Sequence, residues 1–359
     1  MANIRSMAEL SKDERYMARC IQLALNAEGG TYPNPMVGAV VVCDGVIIGE
    51  GWHRRAGEAH AEVNAINSVR DKGMLGRATI YVSLEPCAHQ GRTPPCADLI
   101  VRMGLRRVVV GCRDTFAKVD GRGIARIREA GIEVTVGVLE EECRWLNRRF
   151  FTVQEKGRPY VILKWAETGD GYIGDVREGR AASLSVSGWE ALAREHRRRC
   201  TEDGILVGGG TVRADDPRLT PRWVLGPCPR RFVLTKSGEI GAGARVLTDG
   251  GGCVVINGVR DGEEGCVKYV RRGLEWGSVA REALGVVGSE GVTSVIVEGG
   301  ARVLGAFIEE GLWDEAYVYV GDGVLGHEGV RAPRLVGELM DVERVGGCVL
   351  RHFRRVVTD

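Results

Sequence analysis

No run of apolar residues in the 359-residue chain approaches the roughly 20 needed to cross a bilayer as a helix. The stretch Met1–Lys12 mixes charges with small residues and lacks the apolar segment of a secretory signal, so the expected setting is the cytoplasm with no membrane role. Charge of one sign is missing too. Lys and Arg number 49 against 48 Asp and Glu, a net charge of +1, and aromatics make up only 6%. Neither a global pull toward nucleic acid nor a stacking platform for single strands follows from such a composition. Gly-x-Gly-x-x-Gly occurs at Gly169–Gly174 and at Gly321–Gly326, but neither run leads into a predicted helix, so the dinucleotide fingerprint of a Rossmann domain is not met. Also missing is a Cys-x-x-Cys pair.

What is present is an ordinary globular composition, 44% hydrophobic, over a length that suits two domains better than one. Of 11 cysteines most sit in apolar runs, as Cys20, Cys43 and Cys253 do, where a reduced thiol serves as a small buried hydrophobe. Ser11-Lys12-Asp13-Glu14 is a capping box, and Met17, Cys20, Ile21, Ala24 and Leu25 make one face of the helix behind it. Strands at Met36–Cys43 and Val46–Gly49 flank Asp44-Gly45, a hairpin turn pair. Helices are then expected at His60–Lys72, Pro95–Met103, Ile124–Glu129 and Glu140–Phe150, alternating with strands at Thr79–Leu84, Arg106–Gly111 and Ile132–Val136. The pattern predicts an α/β/α layered domain over 1–153 with largely parallel strands.

The polar stretch Gln154–Pro159 breaks the pattern, and a second α/β domain is expected over 159–359. Its strands are predicted at Tyr160–Leu163, Ile205–Val207, Arg231–Leu234, Cys253–Ile256, Ser294–Val297, Glu315–Val320 and Gly347–Val357, with a helix at Trp189–Cys200. The Gly-rich segment 236–293 is weakly patterned apart from Cys253–Ile256.

Chemistry concentrates first in His60-Ala61-Glu62 and Pro86-Cys87 through Pro95-Cys96. One imidazole and two thiolates give a tetrahedral zinc three protein ligands and leave a fourth position for water, the form of a catalytic and not a structural site. Zinc brings the pKa of its water toward ~7, and Glu62, beside the ligand His60, is the candidate that takes the water's proton and passes it to a leaving amine. Pro95 suits a first helical turn, which puts Cys96 near a helix N-terminus where thiolate is favoured. Unremarkable loop cysteines and an ordinary histidine would share the residue types but not the whole His-x-Glu, Pro-Cys and strand–helix context. Eight residues separate the two cysteines, where nucleic-acid and free-cytidine deaminases carry the short pair. Arg92, in that longer loop, matches phosphate geometry.

In Pro33-Asn34-Pro35-Met36-Val37-Gly38, Glu50-Gly51-Trp52-His53, Leu84-Glu85-Pro86-Cys87 and Lys118–Ile124 the chain resembles the bifunctional riboflavin-biosynthesis deaminase/reductases. The resemblance continues in Leu163-Lys164-Trp165-Ala166, Asp170-Gly171, Gly208-Gly209-Gly210-Thr211, Asp215-Asp216-Pro217, Leu219-Thr220-Pro221-Arg222 and Val297-Glu298-Gly299-Gly300. It implies a cytidine-deaminase-like first domain holding one zinc ion and a dihydrofolate-reductase-like second domain using NADPH. The implied substrate is a phosphorylated pyrimidine, a small molecule, which loses its 2-amino group and then has its ribosyl group reduced to ribityl. Asn34, His53, His89 and Arg92 are implied contacts in the deaminase pocket. In the reductase pocket Lys164, Ser183, Ser187, Arg199, Asp215, Arg222 and Glu298 are implied substrate contacts, and Lys164, Ala166, Thr211, Asp215, Gly299 and Gly300 lie toward the cofactor. Association into a homo-oligomer through the reductase halves is implied as well.

Taken one at a time these residues have blander roles: Asn34 as a turn residue, His53, Lys164 and Arg222 as surface groups, each Gly turn as a tight turn without ligand. The chain departs from the family at Thr168 (Ser), Gly169 (large apolar), Ser185 (Trp) and Thr115 (Pro). Rival readings are a nucleic-acid-editing deaminase, a monofunctional deaminase with a structural second domain, and a purely structural zinc protein.

Overall fold

A computed structural model describes residues 9–89, 94–116, 120–177, 180–182 and 184–356. The chain divides into two compact units, Met1–Gly157 and Arg158–Asp359.

The first unit is built on a five-stranded sheet. Helix α1 (Lys12–Leu25) starts on the expected capping box, with the Ser11 hydroxyl accepting from the Glu14 amide and the Glu14 carboxylate from the Ser11 amide. Strands β1 (Gly38–Cys43) and β2 (Val46–Trp52) form the hairpin. Asp44 and Gly45 take left-handed φ of 52° and 84°, the two positive values a type I′ turn needs. Then follow α2 (Ala61–Ser68), β3 (Thr79–Leu84), α3 (Cys96–Arg102), β4 (Arg107–Cys112), α4 (Arg122–Glu129), β5 (Glu133–Val136), α5 (Glu140–Leu146) and α6 (Arg148–Lys156). The strand order is β2-β1-β3-β4-β5, with β3, β4 and β5 parallel. Every residue of β1 is buried, as a strand covered by helices on both faces must be.

Two helices are shorter than the pattern predicts. The helix from His60 stops at Ser68, and a 3₁₀ turn, Lys72–Arg77, follows. The last helix breaks at Asn147, whose side chain accepts from the Met36 amide (2.8 Å) and donates to the Met36 carbonyl (2.9 Å). Holding a distant backbone in this way takes Asn147 out of helical geometry (φ −105°, ψ 23°). The helix behind it runs on to Lys156, through residues whose polarity reads as linker, and ends at Gly157 in a left-handed cap.

The second unit carries a ten-stranded sheet. In chain order its elements are β6 (Tyr160–Glu167), β7 (Tyr172–Arg177), β8 (Arg180–Ala182), α7 (Trp189–Thr201), β9 (Gly204–Gly208), α8 (Gly209–Asp215), β10 (Arg230–Thr235), α9 (Arg245–Thr248) and β11 (Cys253–Asn257). After these come β12 (Gly262–Glu264), β13 (Val267–Arg271), α10 (Val279–Ser289), β14 (Ser294–Val297), α11 (Ala301–Glu309), β15 (Glu315–Gly321), β16 (Val330–Arg331), β17 (Glu338–Val345) and β18 (Cys348–Arg354). The order β12-β13-β11-β10-β9-β14-β6-β15-β18-β17 puts β9, β14 and β6 side by side and parallel at the centre. The weakly patterned segment 236–293 thus folds into a sheet wing and the helix α10. No helix among the described residues is long and apolar enough to cross a membrane.

Candidate active sites

Three donor atoms meet where β3 ends and α2 and α3 begin. His60 is the N-cap of α2, Cys96 the first residue of α3, and Cys87 lies in the loop after β3. His60 Nδ1 stands 3.6 Å from Cys87 Sγ and 3.3 Å from Cys96 Sγ, and all three atoms lie within 4.8 Å of one another. Ligands at tetrahedral zinc distances would be separated by about 3.5 Å, so the donor set fits that ion.

The first turn of α3 serves the metal ligands. Its Cys96 amide donates to Cys87 Sγ (3.3 Å) and its Ala97 amide to the Cys87 carbonyl (3.1 Å), using donors a helix start leaves free. Hydrogen bonding to Cys96 and His60 holds the Cys87 thiol well below its ordinary value. Its partner Cys96 is pushed up by the shared hydrogen bond and by burial. Glu62, in the first turn of α2, is only 3% exposed, and burial followed by the neighbouring Cys87 charge lifts it to about 7.

Beside this centre the structure places two of the four expected contacts, Asn34 and His53. His53 is buried; its Nδ1 faces the Ala59 carbonyl (3.2 Å) and its Nε2 faces Asn34 Nδ2 (3.1 Å). A carbonyl can only accept, so Nδ1 carries the proton and Nε2 accepts from Asn34. Burial lowers the His53 pKa, in keeping with that neutral ring. The His53 and His60 rings meet edge to face, centroids 5.4 Å apart. His89 lies edge-on to Phe116, and among the described residues its buried Nδ1 has no hydrogen-bond partner. Arg92 lies outside the described residues.

Composition and spacing gave no role to Glu85, yet it organises the back of this site. Its buried carboxylate accepts from the amides of Asp114, Gly121, Gly123 and Ile124 at 3.1 to 3.3 Å. Four amides converging on one carboxylate cap α4 and lock the Asp120–Gly123 turn against the loop that bears Cys87. Asp114, also buried, is raised to about 6 by burial and, less, by the Glu85 charge.

In the second unit a polar cluster gathers on β6, α7 and the end of β14. Arg199 and Glu298, each expected to face a ligand, hold each other: Nε–Oε1 is 2.8 Å and Nη2–Oε2 2.6 Å, with both side chains nearly buried. Burial pushes Glu298 up, but the Arg199 charge, with Lys164 and His196 adding, brings it down to about 2. Lys164 Nζ stands over the Tyr319 ring, 5.8 Å from its centre, and Ala166 follows on the same strand face. The two glycine turns adjoin as well. Gly299 and Gly300 have φ of 129° and 74°, and a Cβ on either would lie 3.3 Å from the Thr211 hydroxyl. Asp215 is exposed at the end of α8, while Asp216 turns away to accept from the Arg245 amide and guanidinium. Ser187 lies half-buried just before α7, Arg222 is exposed, and Ser183 falls outside the described residues. Unforeseen in the sequence is His196, whose Nδ1 accepts from the amides of Arg222 (2.7 Å) and Trp223 (3.2 Å).

Two of the expected departures, Thr168 and Gly169, lie together in the turn after β6. Thr168 keeps the hydroxyl of the usual Ser, donating to Asp170 (2.5 Å) and accepting from the Tyr172 amide. Gly169 donates its amide to the Gly323 carbonyl at 2.7 Å, and a Cβ built on it would meet its neighbours at ordinary contact distances of 3.4 Å or more, so nothing here explains the glycine.

Residues 10–112 match the family model of the cytidine and deoxycytidylate deaminase zinc-binding region, and residues 159–347 match that of the RibD C-terminal domain. The riboflavin biosynthesis protein RibD of Aquifex aeolicus is 38% identical over 340 residues, covering 93% of this chain and 90% of the relative. The chain belongs to the RibD family. The Escherichia coli member is 36% identical over 349 residues (88% of this chain, 89% of that protein). A solved structure from Thermotoga maritima, a diaminohydroxyphosphoribosylaminopyrimidine deaminase/5-amino-6-(5-phosphoribosylamino)uracil reductase, superposes with a TM-score of 0.86 at 36% identity. The match covers 96% of this chain and 99% of that one. This RibD-family chain is a bifunctional deaminase/reductase of riboflavin biosynthesis, with a cytidine-deaminase-like zinc domain and a reductase-like domain for a nicotinamide cofactor.

Proposed function

We propose that the first unit hydrolytically removes the 2-amino group of 2,5-diamino-6-(5-phosphoribosylamino)pyrimidin-4-one, and that the second reduces the product's ribosyl group to ribityl with NADPH. The observation that carries the proposal is the His60, Cys87, Cys96 triangle with buried Glu62 two residues away. One zinc ion, held by those three ligands, supplies an activated water when bound. Glu62 takes a proton from that water and hands it to the departing amine, so that one water is consumed and one ammonia released. Burial raises the Glu62 carboxyl above its ordinary range, the direction that helps it hold a proton between the two transfers. Asn34, the neutral His53, His89 and Arg92 hold the base and its phosphorylated sugar.

In the second unit NADPH supplies hydride to the former anomeric carbon of the ring-opened sugar or its Schiff base. The chain's part is placement. Lys164, Ser183, Ser187, Arg199, Asp215, Arg222 and Glu298 face the substrate, and Lys164, Ala166, Thr211, Asp215, Gly299 and Gly300 the cofactor. Family resemblance supports a cytoplasmic homo-oligomer joined through reductase units, which sedimentation would check.

Mass spectrometry of the diaminopyrimidine ribosyl phosphate with zinc-loaded protein tests both halves. Exchange of amine for oxygen adds about one mass unit without NADPH, and hydride transfer about two more with it. The first gain alone would leave the second unit a structural partner. Neither gain would end the riboflavin assignment for this chain.

A further inference from the structure

Helix α7 presents two side chains one turn apart, and both turn to the segment 219–223. Arg199, already paired with Glu298, also donates through Nη1 to the Thr220 carbonyl at 3.2 Å. His196, 2% exposed, receives two successive backbone amides on a single ring nitrogen. A nitrogen that accepts cannot carry a proton, so the His196 hydrogen sits on Nε2. Burial, with the Arg199 and Arg222 charges, lowers the ring's pKa to about 4, and it stays an acceptor at neutral pH. The Trp223 ring closes over it edge to face, centroids 6.3 Å apart.

The backbone leading into this segment is strained. Asp216 and Leu219 have φ of 41° and 59°, and Leu219 is 1% exposed. Side chains with a Cβ leave that region unless their surroundings over-determine it. The surroundings here are the buried Leu219 side chain, the Arg199 contact at Thr220, and the His196 contact at Arg222 and Trp223. Three successive anchors make an exposed loop stiff where it carries Arg222.

We propose that His196 is a positioning residue of the reductase half: by accepting the Arg222 and Trp223 amides it fixes the backbone from which Arg222 reaches the phosphorylated substrate. The proposal rests on the assignment of Arg222 as a substrate anchor.

Leu and Asn share a shape and differ in polarity, and Asn places an acceptor where Nδ1 stands. Gln places its amide nearer Nε2. Reductase KM and kcat for 5-amino-6-(5-phosphoribosylamino)uracil are measured for His196→Asn, His196→Leu, His196→Gln and Arg222→Ala, with the KM for NADPH and the deaminase rate as controls on the same chain. The Leu and Gln variants should raise the substrate KM about tenfold or more, because two amides lose their acceptor. NADPH KM and deamination should stay put, and Asn should recover most of the loss. Should the Leu variant unfold, the polar Gln variant against Asn makes the same comparison. Unchanged substrate KM in Leu and Gln, or Asn no better than Gln, overturns the proposal while leaving Arg222 as anchor. An unchanged KM in Arg222→Ala overturns the anchor assignment itself, and the positioning role falls with it.

Discussion

Gly123 packs directly on Pro86: a Cβ built on the glycine would stand 1.8 Å from the Pro86 carbonyl oxygen. That contact seats the start of α4 against the loop leading to Cys87, with the Glu85 carboxylate bonding the Gly123 amide beside it. Gly123→Ala forces one of the two backbones to move. We expect a loss of roughly 1–3 kcal/mol in the first unit, as for other overpacked sites. Thermal unfolding of that unit gives the answer, and an unaltered midpoint would show that the two backbones yield freely.

Glu62→Gln keeps the shape of the side chain and removes its proton transfer. Deaminase kcat should fall by about 10²–10⁴-fold. Zinc content by atomic absorption and reductase turnover on the deaminated substrate should be unchanged. A variant that deaminates at the parental rate would exclude Glu62 as the proton carrier.

Removing the metal should separate the two activities. Cys96→Ala strips one of three ligands, and a chelator strips the ion; either should abolish deamination. Oxidation of NADPH by the deaminated substrate should persist, because none of the described metal-ligand groups lies in the second unit. Loss of both activities on chelation would contradict this independence.

The Arg199–Glu298 pair makes a prediction about pH. Glu298 sits near 2 when folded against an ordinary 4.5, so its carboxylate stabilises the folded unit above about pH 4.5. That contribution drains away as pH falls toward 2. Substituting Glu298 by Ala leaves Arg199 buried and unpaired and should cost roughly 3–5 kcal/mol. The double variant with Arg199→Ala should cost less than the sum of the two single changes. Additive losses in chemical denaturation would mean the two groups act apart.

The zinc triangle was legible because its chemistry is written in residue types and spacing: His60-x-Glu62, Cys87 and Cys96. Strand positions read well where alternation or continuous burial marks them, as in β1, β3 and β9. Two kinds of information did not read. One is the reach of a side chain to a distant backbone: nothing around Asn147 announces that it holds Met36, nor around Glu85 that four amides meet on it. The other is mutual satisfaction. Arg199 and Glu298 each read as a ligand contact, and only their closeness in space shows that they also hold each other. The segment 236–293 escaped for a third reason, since β12 is three residues long and exposed throughout and so carries no alternation.

Strand β6, the first of its sheet to be synthesised, lies between β14 and β15, whose residues come more than a hundred positions later. A nascent chain therefore has no sheet for β6 to join until most of the second unit has left the ribosome. The first unit has no such delay, because β3 pairs with β4 and β4 with β5, each the next strand in the chain. Domains fold as units in the order of synthesis, and late, long-range pairing is slow. The deaminase half can thus be complete, with its metal ligands assembled, while the reductase half is still an open chain.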